Sequence, residues 1–429
     1  MLFEHQEDAL FRVRNFQNVA FYHDMGLGKT FTGAEQMAKY GCRVNLVVCQ
    51  KSKVNDWVEH FTRHYPESAT FDLTHKKQFE CFLLWQSAEP PAKASGINIV
   101  GIINYELAWR RPELKRLHDF TLMLDESSLI QNQTAKQTKF IMSLSPSHVI
   151  LLSGTPVSGK YENLYTQIHL LGWQISEELF NRQYVNWVWV ENDGYFSRVV
   201  NKDDPYKNVD RLRQKLREHG ADFLKTEECF KLPEQTFTPV FVRPTKSYFN
   251  FMRDGLVQLP DGTELIGDQV FKKRLYSRQL CGMYCKAKID AFRELLQSTN
   301  DRVIVFYNFT AELEELEAVC HDLERPFSLV NGSYKRLDEY ETCEDSVTLI
   351  QYQAGSMGLN LQKANKIIYF TLPERSELFE QSKKRTHRIG QERPCFYWVM
   401  MCQGSVEEEI YETLQERKDW TDALFEKVF

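Results

Sequence analysis

Short apolar runs alternate with amphipathic stretches in two separate series along this chain. The first series runs Val19-Ala-Phe-Tyr22, Val44-Asn-Leu-Val-Val-Cys49, Ile97-Asn-Ile-Val-Gly-Ile-Ile103, Phe120-Thr-Leu-Met-Leu124 and His148-Val-Ile-Leu-Leu152. The second runs Arg302-Val-Ile-Val-Phe306, Phe327-Ser-Leu-Val330, Val347-Thr-Leu-Ile350, Lys366-Ile-Ile-Tyr-Phe370 and Phe396-Tyr-Trp-Val-Met-Met401. Apolar runs bounded by helical patterns predict strands of parallel sheets covered on both faces. Two such series predict an α/β protein with two lobes.

Between the series the pattern changes. Residues 184–196 alternate around Asn192-Asp-Gly194, which predicts a hairpin. Residues 207–228 read as helical, ending before Leu232-Pro233. The stretch 240–290 is mixed, with a loop at Leu259-Pro-Asp-Gly262, and the last 25 residues read as an acidic amphipathic helix. The expected division is a first lobe over 1–240, with an insertion at about 160–230, a linker or protrusion over 241–288, and a second lobe over 289–429.

With 429 residues, 42% hydrophobic and 13% aromatic, the chain has material for two or three cores. No apolar run approaches the ~18–20 residues of a membrane span, and the charged N-terminus lacks an apolar leader. A soluble intracellular protein with no membrane partner is expected. Ten cysteines lack paired spacing; Cys281 and Cys285 stand four apart with no second pair, as expected for free thiols. The net charge of −6 argues against a mainly electrostatic nucleic-acid binder but allows a local basic groove. The stretch from Phe271-Lys-Lys-Arg274 through Arg278, Lys286 and Lys288 fits either such a groove or a solvated helix face.

Candidate chemistry lies in four places. Asp24-Met-Gly26-Leu27-Gly28-Lys29-Thr30 follows a strand and opens a helix, as a phosphate loop does. There Lys29 would neutralise phosphate charge and Thr30 would ligate Mg²⁺, although His23 stands where the general loop begins with glycine. Asp125-Glu126 follows the strand ending at Leu124, so Asp125 would serve the metal and Glu126 would orient and deprotonate the attacking water. Ser153-Gly-Thr155-Pro156 closes another strand. Arg385 and Arg388 are three apart, on one face if helical, and their guanidinium forks suit phosphate oxygens.

With these residues in order, the chain resembles the Snf2-like (SWI2/SNF2) ATPases of helicase superfamily 2 in compact form. His5-Gln6 resembles the adenine-reading motif, Asp24 to Thr30 motif I, and Leu46-Val-Val-Cys49 with Trp57 motif Ia. Asn104-Tyr105-Glu106 resembles motif Ib, Asp125 to Asn132 motif II and Leu152-Ser-Gly-Thr-Pro156 motif III. Phe223-Leu-Lys-Thr226 with Leu232-Pro233 resembles the segment that closes the family's first lobe. In the second lobe Val303-Ile-Val-Phe306 resembles motif IV, Ala354 to Leu361 motif V and Gln381 to Gln391 motif VI. Ser127-Ser128 stand where many relatives carry Ala-His, Gln50 replaces a common proline, and Thr371-Leu-Pro373 replaces a Trp-Asn-Pro turn. The resemblance implies two tandem RecA-like lobes and ATP with Mg²⁺ as cofactors. It also implies ATP-site roles for Gln6, Gly26, Leu27, Gly28 and Gln381, with Arg385 and Arg388 completing the site on lobe closure. Lys51, Asn104, Tyr105, Thr155, Gly355 and Ser356 would touch nucleic acid.

The reading that follows is an ATP-driven translocase on double-stranded DNA. A strand-separating helicase on DNA or RNA is the alternative, with the Trp187/Trp189 hairpin as its wedge. A third reading is an ATP-switched module that recruits a protein such as a nuclease or replication factor.

Overall fold

In the computed structural model, residues 2–87, 97–192, 195–354 and 359–426 are described. The chain divides into two compact units, Met1–Cys229 with Lys418–Phe429, and Phe230–Arg417.

In the first unit the strands are β1 (Asn18–His23), β2 (Val44–Cys49), β3 (Ala69–Asp72), β4 (Ile99–Asn104), β5 (Phe120–Asp125) and β6 (His148–Ser153). A hairpin of β7 (Trp187–Asn192) and β8 (Tyr195–Val200) precedes β9 (Ala221–Leu224). The order β3-β4-β2-β5-β6-β1-β9 is parallel throughout. Strands buried on both faces need apolar residues at successive positions, and β2 and β4 are buried along their whole length. Alternation sends Phe21, Val47, Met123 and Ile150 to one face, under α1 (Glu4–Arg12), α2 (Lys29–Tyr40) and α3 (Val54–His64). Tyr22, Leu46, Val48, Leu122 and Leu151 face the other core.

The helical expectation over 207–228 holds for Val209–Glu218 and for the short helix Thr226–Cys229, and fails between them. Ala221–Leu224 pairs with β1 and is buried at every position, so it is a sheet strand. The expected hairpin forms, with Asn192 opposite Tyr195, and its Asp193-Gly194 turn lies outside the described residues. Its two tryptophans differ: Trp187 packs against the core with Arg198 over its ring, whereas Trp189 is exposed.

In the second unit β10 (Gln235–Val242) lies beside the last strand of the chain. A small antiparallel pair, β11 (Leu256–Gln258) and β12 (Glu264–Ile266), comes next. The remaining strands are β13 (Val303–Tyr307), β14 (Phe327–Val330), β15 (Lys335–Arg336), β16 (Val347–Gln351), β17 (Lys366–Tyr369) and β18 (Cys395–Cys402). The order is β10-β18-β17-β13-β16-β14-β15, with only the β14–β15 pair antiparallel.

These contacts correct the expected boundaries. A cut at 240 would split β10, which is paired to β18 along its full length from Gln235 to Val242. The protrusion over 241–288 belongs to the second unit, around Tyr248, Phe251, Leu265 and Leu280. From Lys418 onward the chain joins the first unit instead: Tyr161 donates to the Trp420 carbonyl at 2.9 Å, and Arg213 pairs with Glu426 at 2.6 Å.

Within the basic stretch, Lys272 meets Asp268, Arg274 meets Glu374 and Glu409, Arg278 meets Glu374, and buried Lys288 meets Glu407 at 2.5 Å. Cys281, Cys402 and Glu407 come together in the core, and Cys285 lies 3.6 Å from Cys402. Both Glu407 oxygens are taken, one by Lys288 and one by the Cys402 amide, so the thiols read as packed core groups.

Gly220 turns the chain into β9 at φ +84°, where an added Cβ would strike the Asn18 carbonyl oxygen. Gly220→Ala is expected to cost about 2 kcal/mol, from left-handed strain plus a backbone clash. Thermal unfolding should show a Tm lower by several degrees; an unchanged Tm would refute this account of the turn.

Candidate functional site

The phosphate loop leaves β1 and enters α2 through two left-handed glycines, Gly26 at φ +91° and Gly28 at φ +73°. From α1, the Gln6 amide donates to the carbonyls of Leu27 (3.3 Å) and Gly28 (3.1 Å) while accepting the Phe3 N–H at 2.9 Å. A Cβ on Gly28 would collide with that amide. Lys29 folds back over the loop, donating to the carbonyls of His23 (2.8 Å) and Asp24 (3.1 Å). The first turn of α2 carries no acidic residue, leaving its N-terminus favourable to an anion.

Under the loop lies a polar clasp that sequence reasoning missed. Asp222 of β9 accepts from Arg12 Nε at 2.6 Å and lies 2.7 Å from His23 Nε2. A carboxylate only accepts, so the His23 proton is on Nε2. Burial, the largest effect, lowers the His23 pKa against the pull of Asp222, keeping the ring neutral. Burial likewise pushes Asp222 upward, but the hydrogen bonds from His23 and Arg12 outweigh it and hold the carboxyl below its ordinary range. Asp24 is tied to the same edge by the Thr226 amide and hydroxyl, both at 3.1 Å. His23, a departure from the expected glycine, is thus the loop's anchor.

Asp125 ends β5. Trp57 of α3 donates to its Oδ2 at 2.8 Å, and Tyr105 donates to its carbonyl at 2.9 Å. Burial raises the Asp125 pKa; the Trp57 hydrogen bond and the charge of Lys29 oppose the rise. Glu126 follows at φ +52°, a left-handed conformation costly for a side-chain-bearing residue. The Ser153-Gly-Thr-Pro156 turn closes against the loop: a Cβ on Gly154 would stand 3.2 Å from Met25 Cγ and 3.5 Å from Lys29 Nζ. Glycine loop, lysine, Thr30 hydroxyl and Asp125 carboxylate form the hard-oxygen and cationic set that Mg²⁺ and a nucleoside triphosphate require.

Several expected contacts are placed differently. Tyr105, expected to touch nucleic acid, is buried with its hydroxyl on the Asp125 backbone carbonyl. Asn104 is also buried and donates to Glu106 at 2.6 Å. Thr155 is buried, while Lys51 is exposed in the short turn Lys51–Lys53. Gly355 and Ser356 lie outside the described residues.

In the second unit Gln381 lies buried on the helix Ser376–Lys383 and donates to Glu377 at 3.3 Å. That helix stops before the two arginines, correcting the expectation of a shared helical face. Arg385 and Arg388 follow in turns that end at Gly390, φ +93°, and Arg388 bonds Asn360. Among them His387 meets the Pro233 carbonyl at 2.8 Å, and Gln391 donates to the carbonyls of Gln362 and Ala364. Glu312, fully buried in the first turn of the helix Thr310–Asp322, accepts from the Asn308 and Phe309 amides, and burial raises its pKa to about 7.

Asp222→Asn should lower stability at neutral pH by about 1–2 kcal/mol, as a broken buried hydrogen-bond network does. Because the Asp222 pKa is depressed in the folded chain, its contribution is full above the ordinary carboxylate range and vanishes in acid. The Tm gap between wild type and variant should therefore close as pH falls below about 4. A gap constant down to pH 3 would show that the charge contributes nothing.

Residues 9–282 match the SNF2-related domain and residues 287–390 the helicase conserved C-terminal domain. The putative ATP-dependent helicase/translocase YwqA of Bacillus subtilis (strain 168) is 23% identical, over 94% of this chain and 46% of its own length. The ISWI chromatin-remodeling complex ATPase ISW1 of Saccharomyces cerevisiae is 22% identical, over 92% of this chain and 37% of its own. A Caenorhabditis elegans homolog of the SWI/SNF-related matrix-associated actin-dependent regulator of chromatin subfamily A-like protein 1 is 24% identical, over 97% and 61%. The chain thus spans between 37% and 61% of these relatives. The solved Sulfolobus solfataricus SWI2/SNF2 ATPase core in complex with dsDNA aligns at 18% identity, TM-score 0.45, over 98% of this chain and 92% of that one. On the match that covers residues 9–282, this chain belongs to the SNF2-related family.

Proposed function

We propose that this chain is an ATPase that is stimulated by double-stranded DNA and translocates along it. The observation that carries the reading is the shared edge of the first sheet, where Lys29, Asp125 and strained Glu126 converge. Lys29 Nζ donates to two loop carbonyls, and phosphate oxygens would take their place when the nucleotide binds. Thr30 and Asp125 are the residues that would hold Mg²⁺, through a hydroxyl and a carboxylate. When bound, Mg²⁺ draws charge from the phosphates and so eases attack on the terminal phosphorus. Glu126 orients the water and takes its proton, and the raised pKa of its neighbour Asp125 falls once a cation faces it. Gln6 fixes the loop and reads the base edge. Arg385, Arg388 and Gln381 supply charge and hydrogen bonds to the phosphates during turnover.

Phosphate-backbone binding gives little sequence preference and a steep salt dependence. Lys51 and the Thr155 turn are the first-unit groups assigned to it. Strand separation is the second reading, favoured by one observation: Trp189, Tyr195 and Phe196 project exposed from the β7–β8 hairpin. Unwinding of forked duplex lost in Trp189→Ala would support that reading; displacement of a triplex strand without unwinding supports translocation.

Lys29→Ala is expected to abolish ATP binding or turnover. Glu126→Gln should retain ATP binding while kcat falls at least about 100-fold, the scale of a lost general base. Steady-state ATPase assays with duplex DNA, single-stranded DNA and RNA check both. Wild-type turnover in Glu126→Gln would sink the catalytic assignment, and absent duplex stimulation would sink the link to DNA.

A further inference from the structure

One buried amide joins the three segments that form the site edge. Gln167, on the helix Tyr165–Leu170, is fully buried, as are Tyr22 and Ser127. Its Oε1 accepts from the Ser127 hydroxyl at 2.8 Å and from the Tyr22 hydroxyl at 3.1 Å. Its Nε2 donates to the Pro156 carbonyl at 2.7 Å. A carbonyl cannot donate, so the amide has one possible orientation, with NH₂ toward Pro156 and oxygen toward the hydroxyls.

The three partners are not interchangeable. Tyr22 is two residues ahead of Asp24 on the strand that feeds the phosphate loop. Pro156 ends the Ser-Gly-Thr-Pro turn. Ser127 is bonded covalently to Glu126, whose left-handed backbone has to be held by its surroundings. The neighbouring Ser128 hydroxyl is buried with no hydrogen-bond partner among the described residues, so Ser127 is the side chain that fastens this end. A shift of Pro156 therefore pulls the Gln167 amide, and the amide pulls Ser127. Apolar packing on either side leaves little room for the chain of contacts to slacken.

We propose that Gln167 is a positioning residue that transmits displacement of the Thr155-Pro156 turn to Glu126 through Ser127. The proposal rests on the reading of the chain as a DNA-stimulated ATPase. It assigns the coupling to a side chain that touches neither nucleotide nor DNA.

The test compares three variants that each remove part of the same buried network. Ser127→Ala and Gln167→Met break the line from Pro156 to Glu126. Tyr22→Phe removes one hydroxyl from the same amide but leaves that line intact. Basal and duplex-stimulated kcat, KM for ATP and Tm are measured for each beside wild type. Ser127→Ala and Gln167→Met should lower the ratio of stimulated to basal kcat roughly tenfold, within the usual range of coupling effects. Their KM for ATP should stay within about twofold of wild type, since uniform binding is untouched. Tyr22→Phe should lower Tm comparably yet keep the wild-type ratio. Ser127→Thr, which keeps the hydroxyl, should restore the ratio.

Equal ratios in wild type, Ser127→Ala and Gln167→Met overturn the proposal. So does a ratio lost equally in Tyr22→Phe, because stability alone then explains it. If Gln167→Met does not fold, Ser127→Ala with its Ser127→Thr rescue decides alone. A wild-type chain that hydrolyses no ATP, or gains nothing from duplex, overturns the functional reading itself. A stimulated wild type with insensitive variants overturns only the joint.

Discussion

Parallel alignment of the first sheet is the constraint on which the rest of the site depends. Seven strands running one way open all their C-terminal ends on a single edge. His23, Asp125 and Ser153 end β1, β5 and β6, so the phosphate loop, the carboxylate pair and the serine turn must meet there. Sequence separations of more than 100 residues thereby become neighbouring positions along a ladder. The same geometry buries polar groups at each strand end, and each must find a partner or destabilise the fold. His23 has Asp222, Asp125 has Trp57, and Ser127 has Gln167.

The electrostatic design follows from that burial. Asp125 alone in a dry environment would favour its protonated form, and the indole N–H with Lys29 offsets part of the cost. His23 kept neutral adds no second positive charge beside Lys29. The loop is thereby left with the Lys29 cation on its own carbonyls, its charge opposing the rise in the Asp125 pKa.

Much of this could be read from the chain, for identifiable reasons. The long apolar strands β2, β4, β5 and β6 announce themselves because both faces of each are covered. Ala69–Asp72 and Ala221–Leu224 did not, since four residues with an aspartate carry no clear periodicity and the second follows a strong helix. Lys29, Thr30, Asp125 and Glu126 stand out in the sequence because their chemistry is contiguous. Asp222, Trp57 as a carboxylate donor, and Gln167 acquire meaning only through contacts with segments 40 to 199 residues away. The burial of Tyr105 was not legible because an aromatic beside a polar loop looks the same in sequence whether it faces solvent or core. Arg385 and Arg388 fit a helical spacing, but the chain leaves the helix at Lys383 and turns toward Gly390.

The place of β9 next to β1 bears on how the protein is made. On the ribosome, β1 emerges before both of its neighbours, one of which arrives with residue 148 and the other with residue 221. The anchor of His23 on Asp222 cannot form before then, so the nascent phosphate loop waits for a partner 199 residues downstream. The segment after Lys418, whose Leu424 and Phe425 pack into the first core, arrives later still. Long-range closures of this kind slow folding and expose apolar surface meanwhile. Assembly of the first unit therefore waits for segments made long after its defining loop.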